Sequence, residues 1–278
     1  MATPTLTHHR ISGALGDLLV DVRAGGRDTP RPAVVIVHGF KGFKDWGMFP
    51  PFAERIARAG FTAVNFNLSG SGVDERGEFV YPERFGHNTY SAELSDVAAI
   101  VAELTAGNLG VAPPAGIGLL GHSRGGGAAV LYTPSEPNIE ALVTWSAIGS
   151  TMRWTPDVIE EWRARGHTDV VNSRTGQVLP LYTDILDDLT QHAERLDLDA
   201  AARRVSCPWL IIHGEADESV PVEDAHHLMN ASGRPTTELL LIKGAGHTFG
   251  AVHPWQGSTP ALDQVFDATL RFFAAHLG

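Results

Sequence analysis

Five residues, Gly121-His-Ser-Arg-Gly125, stand between a short apolar run, Ile117-Gly-Leu-Leu120, and a stretch of small residues at 126–130. They read as a strand, a sharp turn and a helix start, with Ser123 at the apex. Glycines two residues to either side let the backbone turn tightly without Cβ clashes. The turn lifts the hydroxyl clear of the sheet, and the helix N-terminus behind it favours the negative charge that develops during acyl transfer. A serine hydroxyl is a weak nucleophile until a neighbouring base takes its proton. The pattern therefore asks for a histidine, and for a carboxylate to orient it. In a chain with 30 glycines, such a pentapeptide arises by composition in roughly one case in six, so the surrounding elements have to decide.

Three further segments supply the missing groups in order. Residues 33–37 (Ala-Val-Val-Ile-Val) read as a buried strand ending in His38-Gly39-Phe40; 209–212 (Trp-Leu-Ile-Ile) ends in His213-Gly-Glu-Ala-Asp217. The run at 238–242 ends in Lys-Gly-Ala-Gly-His247. Each candidate lies just past the carboxyl end of a predicted parallel strand, where open α/β sheets form their ligand crevice. His247 is the expected general base, since an ordinary imidazole pKa of about 6.5 lets it take and return a proton near neutrality. Asp217 is the expected orienting carboxylate, holding the imidazole tautomer without taking a proton itself. Its neighbours Glu215 and Glu218 read as solvent-facing. The backbone N–H groups of Phe40 and Arg124 are the expected oxyanion donors. The Phe40 ring is expected to line an acyl pocket, and the Arg124 side chain to pair with a nearby carboxylate. Trp46, Trp145, Trp154 and Phe249 fall in or beside loops at the same edge and are candidates for substrate contact. His122 reads first as a packing residue at the turn and is kept among them. His8-His9 and His226-His227 point in different directions and form no ligand set, so neither a metal nor another cofactor is expected.

The elements that position these residues follow from periodicity. Two short runs near 5–11 and 17–22 predict an edge hairpin. Apolar residues at helical spacing predict a helix over 50–59, and 62–66 predicts a strand. A long polar loop is expected at 67–88, followed by a helix over 89–104 with Asn88 or Thr89 as its cap. A strand at 141–146 follows the central helix, and helices are expected at 221–229 and 262–276. Strand–helix alternation of this kind demands a mostly parallel, twisted sheet with helices on both faces. The alternation breaks at 149–200, where Trp154, Trp162, many charges and a polar Asn-Ser-Arg-Thr-Gly-Gln turn predict a small inserted cap. The core is then 1–148 together with 201–278.

Composition narrows the partners. At 278 residues and 43% hydrophobic content the chain can bury one sizeable core. A net charge of −11 argues against nucleic-acid phosphates or an anionic membrane surface. A single cysteine, Cys207, excludes an intrachain disulfide and reads as a core residue before strand 209–212. The first ten residues lack a secretion-signal pattern, and no run of about eighteen apolar residues exists. The expectation is a cytoplasmic protein acting on a small molecule, with a homodimer left open.

Taken together, His38-Gly-Phe-Lys-Gly42, Gly121-His-Ser-Arg-Gly-Gly126, His213-Gly-Glu-Ala-Asp217 and Gly244-Ala-Gly-His-Thr-Phe249 resemble the α/β-hydrolase superfamily, over essentially the whole chain. The order Ser, Asp, His is that of its triads. Within the superfamily the motifs look like bacterial esterases near the feruloyl/cinnamoyl esterases and dienelactone-hydrolase-like proteins. The resemblance implies an α/β-hydrolase fold, a Ser123–Asp217–His247 triad and an oxyanion hole at the Phe40 and Arg124 amides. In cinnamoyl esterases an insertion supplies polar groups that read the phenolic ring. Residues 149–200 do not match that insertion position by position, and Tyr182, Asp184 and Gln177 are the candidates within it. The expected activity is a cofactor-free serine carboxylesterase acting on small acyl or aryl esters, including hydroxycinnamoyl types. A prolyl-peptidase-like amidase is the alternative enzyme. A small-ligand receptor reusing the fold is the alternative without catalysis.

Overall fold

The computed structural model describes residues 3–172 and 175–277; Ser173 and Arg174 of the expected polar turn lie outside these ranges. The chain opens with β1 (Thr5–Ser12) and β2 (Asp17–Ala24), followed by β3 (Ala33–Val37), α1 (Phe49–Arg58), β4 (Thr62–Phe66), α2 (Pro82–Gly86) and α3 (Tyr90–Thr105). Next come β5 (Ile117–His122), α4 (Arg124–Tyr132) and β6 (Ile139–Trp145). The expected insertion contains α5 (Pro156–Arg165), β7 (His167–Val171), β8 (Val178–Tyr182) and α6 (Asp184–Gln191). The chain closes with α7 (Leu198–Arg204), β9 (Trp209–Gly214), α8 (Val222–Ser232), β10 (Thr237–Ile242) and α9 (Pro260–His276). Helix α7 runs through residue 200, where the sequence pattern placed the end of the cap.

Eight strands form one sheet in the order β1-β2-β4-β3-β5-β6-β9-β10. The β1–β2 and β2–β4 pairs are antiparallel and every later pair is parallel. Strands β3, β4, β5 and β9 are buried at every position, which is why they read as unbroken apolar runs rather than alternating ones. Alternation survives in where the side chains go. Val34 and Ile36 join one apolar cluster with Phe52 and Ile56 of α1 and Phe266 and Phe273 of α9. Val35 and Val37 join the other, with Val97 and Val101 of α3, Ala128 of α4 and Leu228 of α8. Helices therefore cover both faces, as the strand–helix alternation predicted.

The order reverses at β3. The chain adds β4 on one side of it and then crosses to place β5 on the other, so the ends of β3 and β5 flank a topological switch point. Register pairs Val37 with Gly121, and His38-Gly39 and His122-Ser123 leave the sheet side by side.

The polar loop at 67–88 contains α2, which sequence periodicity missed because a five-residue helix is too short to show a 3.6-residue repeat. Helix α3 has the expected cap: the Thr89 side chain accepts from the Ala92 N–H. In the insertion, β7 and β8 form a separate antiparallel hairpin ending at the Val171–Val178 pair. Leu179 of this hairpin packs with Phe43, Val73, Phe79 and Phe85, linking it to the loop after β3. Trp162 is fully buried in the larger core cluster, with Trp154 set edge-on against it at 5.0 Å. Among the described residues, no helix is long and apolar enough to cross a membrane.

Two glycines are required where β5 turns into α4. A Cβ on Gly121 would lie 2.3 Å from the Gly125 carbonyl oxygen, and one on Gly125 would lie 2.2 Å from that of His38. Neither neighbour is a flexible side chain that can swing away. Gly125→Ala is expected to cost about 1–3 kcal/mol through such overpacking, lowering the thermal midpoint by several degrees in a chain of this size. A calorimetric scan showing an unchanged midpoint would contradict the close approach described here.

Candidate active site

Ser123 takes φ 58° and ψ −122°, a conformation that a residue with a side chain holds only when its surroundings impose it. Here the backbone is held from both ends. Its N–H donates to the Trp145 carbonyl at 2.9 Å, and its carbonyl accepts from Gly126, Gly127 and Ile148 at 3.0, 3.2 and 3.3 Å. The hydroxyl is thereby presented beyond the sheet edge, at the start of α4. Gly39 approaches so closely that a Cβ there would lie 2.8 Å from the Cβ of Ser123. The Phe40 amide, one residue on, thus belongs to a loop in contact with the serine.

Asp217 and His247 sit on the turns after β9 and β10. One Asp217 oxygen, Oδ1, accepts from the backbone N–H groups of Ser219 and Val220, both at 2.9 Å. The other, Oδ2, accepts from His247 Nδ1 at 2.8 Å. Burial alone pushes this carboxyl upward, but the hydrogen bonds from His247, Val220 and Ser219 outweigh it and hold the pKa at about 2. An ionised Asp217 fixes the His247 proton on Nδ1, leaving Nε2 as the proton-accepting nitrogen. Ser123 and His247 line one cavity of about 510 Å³, and Asp217 stands buried behind the imidazole.

Three other histidines frame this pair. His122 donates from Nε2 to the His247 carbonyl at 3.0 Å, and its ring lies 4.8 Å from that of His247. Burial, then the neighbouring His247, pushes the His122 pKa down to about 3. His213 donates to the Val220 carbonyl at 2.9 Å, bracing the turn that carries Asp217, and burial lowers its pKa too. His38 bonds to the Gly39 carbonyl at 2.9 Å and accepts from the Leu68 N–H at 3.1 Å; burial pushes its pKa down to about 4.

The Arg124 side chain turns away from the cavity. Its Nε lies 2.8 Å from Glu93 Oε1, with both residues buried, and its guanidinium lies 4.3 Å from the Tyr90 ring and 5.4 Å from the Phe40 ring. The sequence asked for such a carboxylate partner without naming it. Phe40 lines the cavity.

The remaining candidates divide. Trp46 and His122 line the cavity. Trp145 does not: it is fully buried, and its Nε1 donates to Thr269 at 2.9 Å. Phe249 is likewise fully buried, edge-on to Trp145. Trp154 packs on Trp162. The Tyr182 hydroxyl donates to Glu83 beside His87, and Asp184 bonds to that same histidine. Gln177 donates to the Phe79 carbonyl. None of these six lines the cavity. Among the described residues, no group of three or more His, Cys, Asp or Glu side chains converges to hold a metal.

Several lining residues escaped the sequence reading: Lys41, Phe49, Asn172, Thr248, Val252 and His253. Lys41 carried a signal in directly following Phe40. Asn172 stands at the edge of the polar turn of the insertion. His253, which accepts from the Gly47 N–H at 3.1 Å and stacks on Trp46, shows no pattern that distinguishes it from the other histidines.

A model of the alpha/beta hydrolase family matches residues 34–259, which span β3 to the turn before α9. The chain belongs to this family. This alpha/beta hydrolase is 22% identical over 221 residues to 2,6-dihydropseudooxynicotine hydrolase of Paenarthrobacter nicotinovorans. That alignment covers 78% of the chain but 53% of the relative, so the chain spans about half the length of the curated relative it matches. Among solved structures, a putative hydrolase from Agrobacterium vitis S4 superposes with a TM-score of 0.72 at 18% identity, covering 96% of this chain and 99% of that one. Est1E from Butyrivibrio proteoclasticus with ferulic acid bound superposes with a TM-score of 0.70 at 20% identity, covering 96% and 98%. At such identities the likeness is one of fold.

The buried histidines give the hydrolase a distinctive acid response. His122 titrates at about 3 when folded and near its ordinary value of about 6.5 when unfolded. Between these values the unfolded chain binds one more proton, so stability falls with falling pH by about 1.4 kcal/mol per unit for this residue. His122→Gln removes that contribution while keeping a side-chain N–H for the His247 carbonyl. Urea unfolding at about pH 6.5 and about pH 5 should show a smaller loss in the variant than in the wild type. An equal loss in both would mean that His122 is protonated in the fold.

Proposed function

We propose that this alpha/beta hydrolase is a serine carboxylic-ester hydrolase working through an acyl-enzyme, on small acyl or aryl esters that include hydroxycinnamoyl types. The observation that carries this reading is the pairing of a Ser123 held at positive φ on a strand–helix apex with a His247 whose Nδ1 is bonded to Asp217, both facing one cavity. In the proposed reaction Ser123 Oγ attacks the acyl carbon as His247 Nε2 takes its proton. The carbonyl oxygen becomes an oxyanion and accepts from the N–H groups of Phe40 and Arg124. Collapse breaks the bond to the alcohol, which leaves with the proton from His247. Water then gives a proton to His247 and attacks the acyl carbon, releasing the acid and returning the proton to Ser123.

The lining supports an aryl or short acyl group. Phe40, Trp46 and Phe49 give the cavity an aromatic side, which suits flat apolar ligands. The ferulic acid in Est1E and the hydrolase activity named for the Paenarthrobacter relative support the same direction. We further propose that the segment at 149–200 acts as a cap through its hairpin, since Asn172 rather than Trp154 or Trp162 lines the cavity.

The test pairs turnover with labelling. Ser123→Ala should lower kcat on 4-nitrophenyl and aryl acrylate esters by about 10³-fold or more. A fluorophosphonate followed by peptide mass spectrometry should mark Ser123 in the wild type. Labelling at another serine, or undiminished turnover by the variant, overturns the assignment.

A further inference from the structure

The charges around the catalytic cavity are arranged differently from those of the rest of the molecule. The chain carries a net charge of −11, yet no Asp or Glu is among the described residues lining the cavity. Lys41 is there, and it is the one Lys or Arg among them. Asp217, the nearest catalytic carboxylate, is turned toward His247 and the backbone N–H groups of its own turn.

Lys41 has two unusual features. It immediately follows the oxyanion residue Phe40 and adopts φ 59°, a left-handed conformation that glycine takes at no cost and a lysine does not. Its Nζ donates to a neutral acceptor, the Val171 carbonyl at the end of β7, at 3.3 Å. That bond is long for an ammonium, whose hydrogen bonds to carboxylates close to about 2.7–2.9 Å. Lys44, three residues on, shows the contrast: it is buried between Asp21 at 3.1 Å and Asp45 at 2.6 Å. Among the described residues Lys41 has no such carboxylate, and it stands at the wall where the loop after β3 faces the β7–β8 hairpin.

We infer that the substrate brings the carboxylate: the cavity is built for esters whose acyl part carries a free carboxylate, which Lys41 Nζ binds while the ester carbonyl lies against Ser123 and the Phe40 and Arg124 amides. A carboxylate outcompetes the Val171 carbonyl for the ammonium. Because Lys41 is adjacent in the chain to an oxyanion donor, this contact also fixes the acyl chain relative to the hole. The kinetic part of this inference rests on the esterase reading, whereas its binding part does not.

The experiment compares two esters of equal acyl length and identical leaving group: the mono-4-nitrophenyl ester of adipic acid, and the same compound with its free acid capped as a methyl ester. In the wild type, kcat/KM should favour the free acid by about 10- to 100-fold, and high salt should shrink the ratio. Lys41→Gln, which keeps a donor for Val171 but loses the charge, should bring the ratio to about one or below. Lys41→Arg should restore part of it. Because the ratio is taken within one preparation, a partly unfolded variant does not alter it. The same two compounds are titrated calorimetrically into Ser123→Ala and into Ser123→Ala with Lys41→Gln. A wild-type ratio near one, or a preference that survives Lys41→Gln, overturns the inference. Preferential binding of the free acid without hydrolysis of either ester overturns the esterase reading and sustains this one.

Discussion

Everything at the candidate active site depends on how closely two stretches of backbone approach each other. The chain leaving β3 and the turn between β5 and α4 meet main chain to main chain, with Gly39 and Gly125 at the contacts and Gly121 packed against Gly125 within the turn. No side chain could be interposed without moving the serine. This approach places an amide of the β3 loop beside Ser123, which itself takes a positive φ. The unfavourable conformation is spread over four backbone hydrogen bonds that reach β6 and α4. Strain at Ser123 is therefore carried mostly by the regular structure around it.

The loop after β3 needs a second anchor, and it finds one in buried polar groups. The Lys44 N–H donates to Asn67 at 2.6 Å, and Asn65 donates to the Lys44 carbonyl at 2.9 Å. Arg23 donates to Asn65 at 2.7 Å and lies 3.5 Å from Asp21. Ion pairs of this kind add little net stability, because desolvation offsets their attraction. Their effect here is geometric. They tie the loop to β2 and to the end of β4, so the turn at 39–42 starts from a fixed point.

The framework of the site was legible in the sequence because it rests on local signals. Glycines around Ser123, apolar runs before Asp217 and His247, and the Thr89 cap each leave a mark within a few residues. The same holds for the parallel sheet, whose buried strands are continuous apolar runs. What escaped was determined by contacts between distant segments. Trp145 and Phe249 lie next to turns of the candidate site in sequence, but each packs in the cluster under α9 rather than lining the cavity. Trp154 reads as a candidate for substrate contact because aromatic composition does not tell a core from a wall; it packs on the buried Trp162 instead. The residues that do form the wall, Asn172 and His253 among them, arrive from separate loops and share no spacing. Helix α2 was hidden by its length.

The buried pair of Arg124 and Glu93, next to Ser123, bears on the evolutionary freedom of the chain. Arg124 and Glu93 are not among the residues lining the cavity, and the oxyanion donor proposed at position 124 is a backbone N–H that any residue except proline would supply. The proposed catalysis therefore places almost no demand on either side chain. Stability places a severe one: removing a single partner strands a buried charge at a cost of about 3–5 kcal/mol, while replacing both with apolar groups can be neutral. Single steps away from the pair cross a deep fitness valley, and only a double replacement avoids it. A lineage that acquires this arginine beside Ser123 is held to it by history, whatever happens to its substrate.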